Sequence, residues 1–119
     1  MGGPEGAGEG QTERRRKSRR RVLFGGIVAY ADGRVSFDCI IRSLSMSGAR
    51  IAISETAQLP AKFYLICIRD RVAYEAQLAW RDGSEAGVEF AGVVGLPDIS
   101  NPAIGFLKRV WLSAAGSNR

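Results

Sequence analysis

Histidine is absent from the 119 residues. The commonest general base and the commonest transition-metal ligand are therefore missing. Cysteine occurs only as Cys39 and Cys67, each inside an apolar run and without metal-site spacing, so both read as small buried hydrophobes in a reducing compartment. No run of about 20 apolar residues is present, which excludes a membrane-spanning helix. No apolar stretch follows Met1, so the expectation is a chain without a secretory signal, in the cytoplasm. Clustered carboxylate pairs are lacking, as is a glycine-rich loop leading into a helix. Together these absences argue against an enzyme, and no metal or resident cofactor is expected.

What is there is concentrated charge. Arg14 to Arg21 reads RRRKSRRR, in which only Ser18 is uncharged. The chain has 17 Lys+Arg and 12 Asp+Glu; seven of the basic residues lie in this one stretch, leaving a slightly acidic body. Such a block repels itself and stays solvated until an anion meets it. Residues 1–13, rich in glycine, read as a flexible tail.

From Val22 onward the texture is that of short strands. Val22–Tyr30 is β-branched and aromatic, with Gly25-Gly26 suggesting a bulge or a close backbone approach. Asp32-Gly33 signals a hairpin turn, and Val35–Arg42 alternates apolar with polar. Ser43–Gly48 reads as a Ser/Gly turn in which Gly48 is free to take positive φ. Strands are then expected at Ala49–Ile53, Lys62–Arg69, Val72–Arg81 and Glu85–Phe90. The alternation in the fifth puts Val72, Tyr74, Ala76, Leu78 and Trp80 on the inner face. Six short antiparallel strands favour closure into a β-barrel, because closure removes exposed edges. Gly92–Ser100 reads as a loop. Asn101-Pro102 then starts a C-terminal helix with Ile104, Leu107, Val110 and Trp111 on its apolar face, ending near Ser113 with Gly116 beyond it. The organisation expected is a tail (1–13), a basic ligand-binding segment (14–21), a barrel (22–92) and a loop with helix (93–119).

Arginines ahead of a first strand, a Ser/Gly turn after the second and a six-stranded barrel resemble the PilZ domain, a bacterial receptor for cyclic di-GMP. Two family motifs, RxxxR and (D/N)xSxxG, carry the likeness. Arg15 with Arg19, or Arg16 with Arg20, fits the first; Ser45 and Gly48 fit the second, with Ser43 standing where the family has Asp or Asn. AQLAWRDGSEAGVEF resembles the family's last hairpin. The resemblance implies an all-β, six-stranded PilZ-like barrel with a C-terminal α-helix. It also implies a cyclic di-GMP site made of Arg15, Arg16, Arg19, Arg20, Ser43, Ser45 and Gly48, and a downstream protein effector.

The residues suit that ligand on chemical grounds. Arginine's planar fork binds phosphate bidentately, reads the O6/N7 edge of guanine and stacks on a base, whereas lysine is a point charge. The basic segment holds six arginines and one lysine, Lys17. Ser43 offers one hydroxyl where Asp or Asn offers two polar atoms. The expected function is a non-catalytic receptor module that signals when its N-terminal segment orders on the ligand. Two other readings stay open. One is a degenerate adaptor that binds protein and no nucleotide; the other is a basic-arm nucleic-acid binder, which the slightly acidic body disfavours.

Overall fold

The computed structural model describes residues 20–117. Six antiparallel strands run in sequence: β1 (Arg20–Tyr30), β2 (Val35–Leu44), β3 (Gly48–Ala52), β4 (Lys62–Cys67), β5 (Val72–Asp82) and β6 (Glu85–Gly95). Each has two paired neighbours, in the order β1-β2-β3-β6-β5-β4, and β4 pairs back to β1, so the sheet closes into a barrel. A 3-10 turn at Pro102–Ile104 leads into α1 (Gly105–Ser117).

Two cores hold it together. Inside the barrel, Val28, Cys39, Ile41, Ile51, Leu65, Ala76 and Val88 are buried, with half-buried Phe24, Tyr74 and Phe90 packed at their edge. Burying one such large side chain contributes about 1.5–3 kcal/mol. Outside it, α1 sets Phe106 and Leu107 against Ile27, Ala29, Ile66, Ala73 and Leu96. That second core explains why β4 is apolar on both faces: Leu65 points into the barrel and Ile66 lies under the helix. The helix start follows its sequence signal, since the Asn101 side chain accepts the Ala103 N–H at 3.0 Å with Pro102 next in the chain.

Several sequence expectations are corrected. Ser43 and Leu44 belong to β2, so the turn is shorter than Ser43–Gly48. β6 runs on to Gly95, taking in the start of the expected loop, because its partner β5 pairs with it all along from Val72 to Asp82. Gly116 lies within α1. The irregularity in β1 falls between Arg21 and Phe24, while Gly25 and Gly26 pair regularly. Gly26 meets instead the alternative reading, close approach: an added Cβ would sit 2.9 Å from Cys39 Sγ and 3.1 Å from the Ile66 carbonyl oxygen.

Cys39 and Cys67 are free and buried, as expected. Burial pushes the Cys39 thiol up from 9.0 to about 12, with nearby Asp38 adding to it, and burial raises Cys67 as well. Unfolded thiols lose their protons near the ordinary value, so between 9.0 and about 12 the native state holds the extra proton. For Cys39, stability is then fully present below that window and falls as pH rises through it, by roughly 1.4 kcal/mol per pH unit. Urea unfolding at pH 7 and pH 10 should show a lower midpoint at the alkaline pH. Equal midpoints would mean that the thiols titrate normally.

Candidate functional site

The strand register joins residues far apart in sequence. Arg21 of β1 pairs with Ser43 of β2, Ser43 with Arg50 of β3, Arg50 with Gly87 of β6, and Gly87 with Trp80 of β5. One cross-strand row, Arg21–Ser43–Arg50–Gly87–Trp80, thus crosses five strands.

Bulges put this row on the outside. Ile41 pairs with Ile51, both facing inward, and the next pair is Ser43 with Arg50. The extra residue, Arg42, shifts the parity of β2, so Ser43 shares the outer face with Arg50. The same happens on β5: Leu78 pairs with Val88, then Trp80 with Gly87, and Ala79 is the extra residue. This is why Trp80, expected on the inner face, is 42% exposed. Its indole lies against Gly87, where any added Cβ would collide with the ring, so only glycine fits beneath it.

Ser43 is the unusual member. It is 7% exposed, the only buried polar residue among those described, and its Oγ has no hydrogen-bond partner. A buried hydroxyl left unpaired costs about 1–3 kcal/mol. Trp111 Nε1 is also buried without a partner; nothing in the structure explains it. Beside Ser43, Arg50 makes one long contact to Glu85, 3.5 Å between partly exposed side chains, and such a pair holds an arginine only weakly. Arg81 differs: its guanidinium reaches the carbonyls of Gly83, Ala57, Ser54 and Glu55 at 2.9–3.2 Å, which stitches the loop after β3 and leaves little for an anion.

The turn between β2 and β3 is built by Ser45. Its Oγ accepts from the backbone N–H groups of Ser47 and Gly48, both at 3.2 Å, and its own N–H donates to the Gly48 carbonyl at 2.9 Å. The Phe90 N–H donates to the Ser47 carbonyl at 2.9 Å and ties the turn to β6. Gly48 is a glycine for a reason other than the expected one. Its φ is not positive; instead β3 presses so close to β6 that an added Cβ would strike the Val88 carbonyl oxygen.

Of the expected site residues, Arg20 and Ser43 lie in adjacent strands, Arg20 paired with Leu44 and so one position off from the Arg21–Ser43 pair. Ser45 and Gly48 shape the neighbouring turn. Arg15, Arg16 and Arg19 lie outside the described residues, as do the tail and most of the basic segment. Beyond Arg20, the Tyr74 phenol is pushed up by burial and by Cys67 and Asp70, while the Arg20 charge opposes the rise. The row therefore adds Arg21, Arg50 and Trp80 to the candidates. Arg21 stood inside the basic run and Trp80 inside the stretch that resembles the family's last hairpin; Arg50 carries no motif signal, and only the register and the bulges bring these residues to Ser43. The row is an outer surface, distinct from the molecule's larger hollows. One of these, of about 420 Å³, lies near the start of α1 and is lined by Tyr30, Lys62, Tyr64, Glu75 and Phe106.

The sequence pattern of the PilZ domain matches residues 13–101. The chain belongs to the PilZ domain family. The fold agrees. The crystal structure described as the PilZ domain of CeSA from a cellulose-synthesizing bacterium superposes with a TM-score of 0.52 at 18% identity, covering 82% of this chain and 98% of that one. No curated protein matches by sequence. PilZ domains are generally cyclic di-GMP binding modules with binding or regulatory rather than catalytic roles, and Arg20, the last residue of one RxxxR frame, lies in the strand that pairs with the one carrying Ser43. Among the described residues, no group of His, Cys, Asp and Glu could hold a metal ion.

Gly48→Ala should cost about 2 kcal/mol or more, since it forces β3 away from β6 or strains the turn. Chemical denaturation checks it; a change under about 0.5 kcal/mol would mean the contact relaxes freely.

Proposed function

We propose that this PilZ domain is a cyclic di-GMP receptor that reads its ligand on the outer row beside the β2–β3 turn. The observation that supports this best is the Ser43 hydroxyl, buried and unpaired between two arginines. Arg20, Arg21 and Arg50 supply planar forks for phosphate or a guanine edge. Trp80 supplies an exposed ring on which a base can stack. The Ser45 turn holds Ser43 at its place beside β1. Arg15 with Arg19, or Arg16 with Arg20, completes the phosphate contacts from the basic segment. That segment orders as the ligand binds and carries the signal to a protein effector in the cytoplasm. Serine in place of the family's Asp or Asn offers one contact instead of two, so the site gives up affinity at that point.

Ser43→Ala separates a binding role from a structural one. Removing an unpaired buried hydroxyl should leave stability unchanged or raise it by about 1 kcal/mol. The same change should weaken cyclic di-GMP binding by about 0.5–1.5 kcal/mol, read by calorimetry. Loss of stability with unchanged affinity would remove Ser43 from the site.

Arginine shape is tested by paired changes that keep the charge. Arg15→Lys with Arg19→Lys, or Arg16→Lys with Arg20→Lys, should weaken binding about tenfold in the frame that contacts the ligand. If wild-type protein shows no binding at tens of micromolar ligand, the receptor reading fails for this chain. A salt titration discriminates the nucleic-acid alternative: a polyanion binder loses affinity steeply with salt, and a ligand with two phosphates much less.

A further inference from the structure

Strand direction sorts the charges along the barrel axis. Because all pairings are antiparallel, β1, β3 and β5 begin at one rim, where β2, β4 and β6 end. That rim carries Arg20, Arg21, Arg42, Arg69 and Arg71; its acids are nearby Asp70 and Asp98, and Glu89, which pairs with Gly48 beside the β2–β3 turn. The opposite rim carries Asp32, Glu55, Asp82 and Glu85 against Arg34, Lys62 and Arg81, and Arg81 is occupied by backbone carbonyls.

The basic rim is also where the most exposed large hydrophobic side chains lie. Met46 is 98% exposed at the tip of the β2–β3 turn, and Leu23 is 73% exposed in the irregular part of β1. Val93, near the end of β6, is 56% exposed. The fold asks for none of this: the turn is held by Ser45 and Gly48, and a polar residue would serve at Met46. Behind these side chains, stacked Tyr74 and Phe90, 4.0 Å between centroids, help close the barrel mouth, and Arg69 sits 4.7 Å over the Phe24 ring.

We propose that this rim docks peripherally on an anionic lipid surface, with Met46 and Leu23 entering the headgroup boundary and the arginines meeting lipid phosphates. A polyanion such as RNA would account for the arginines but leaves a bare methionine and leucine in water. A bilayer interface takes both at once, and stable peripheral binding needs two such signals together. The proposal shares Arg20 and Arg21 with the nucleotide reading, but Met46 and Leu23 belong to the rim alone, so serine variants that leave the arginines intact separate the two.

The test is flotation of the full chain with vesicles, near physiological salt. One set is phosphatidylcholine alone; the other contains about 30% phosphatidylglycerol, whose anionic surface rewards each nearby arginine about fivefold. Retention is expected on the anionic vesicles only. Leu23→Ser with Met46→Ser keeps the net charge and should lower partitioning about tenfold, with an unchanged thermal melt because both side chains are exposed. Met46→Ser alone, where nothing packs, should lower it about two- to threefold, which keeps the test independent of any effect at the β1 bulge. No retention on anionic vesicles overturns the proposal, and so does retention that the serine variants leave unchanged. Poly(U) that binds more tightly than the vesicles, and equally in both proteins, would assign the rim to nucleic acid instead.

Discussion

Closing six short strands around an interior filled by their own side chains leaves no slack in register. A small barrel reaches closure only with strongly tilted strands, and its inward positions must all be apolar and of the right size. Here the register is adjusted by extra residues: Arg42 on β2, Ala79 on β5 and the irregular stretch between Arg21 and Phe24 on β1. Each keeps the inner face apolar while turning a neighbouring side chain outward. The outer row from Arg21 to Trp80 is a by-product of that adjustment, and the candidate site depends on it.

The same constraint explains where glycine is needed. Gly48 lets β3 touch the β6 backbone, and Gly87 makes room for the Trp80 ring. Neither needs positive φ, which belongs to the turn glycines Gly33 and Gly83. Glycine therefore acts in two ways in this small barrel. In the turns it supplies a backbone conformation, and in the strands it supplies the absence of a side chain. At Gly87 that absence lets the Trp80 indole lie over the glycine that pairs with Arg50.

Polar groups are spent unevenly. Arg81 and Ser45 are taken up by backbone hydrogen bonds and hold loops in shape. Ser43 is buried without a partner and Arg50 is held only loosely. A side chain that stabilises nothing in the folded chain is where a binding partner gains most, because the cost of burial has already been met by the fold. Arg21 belongs to this row and Arg20 precedes it in β1, so both lie at the same end of the barrel as the apolar tips of the rim.

Much was legible in the sequence. The strands between Val22 and Phe90, the turn glycines, the Asn101 cap, the buried cysteines and the family motifs depend on local pattern, and local pattern is what periodicity and turn chemistry report. Only the tertiary structure decided which face Trp80 and Ser43 occupy, since a single extra residue inverts every later position and no residue type announces a bulge. It alone paired Arg50 with Ser43, and it alone gathered the arginines and Met46 at one rim, because those relations follow from strand order and direction around a closed sheet. The placing of Arg20 was intermediate. Its charge was evident in the run RRRKSRRR. Its membership of β1 was not, because the hydrogen bonds that extend the strand come from β2, a partner that sequence pattern alone could not bring alongside.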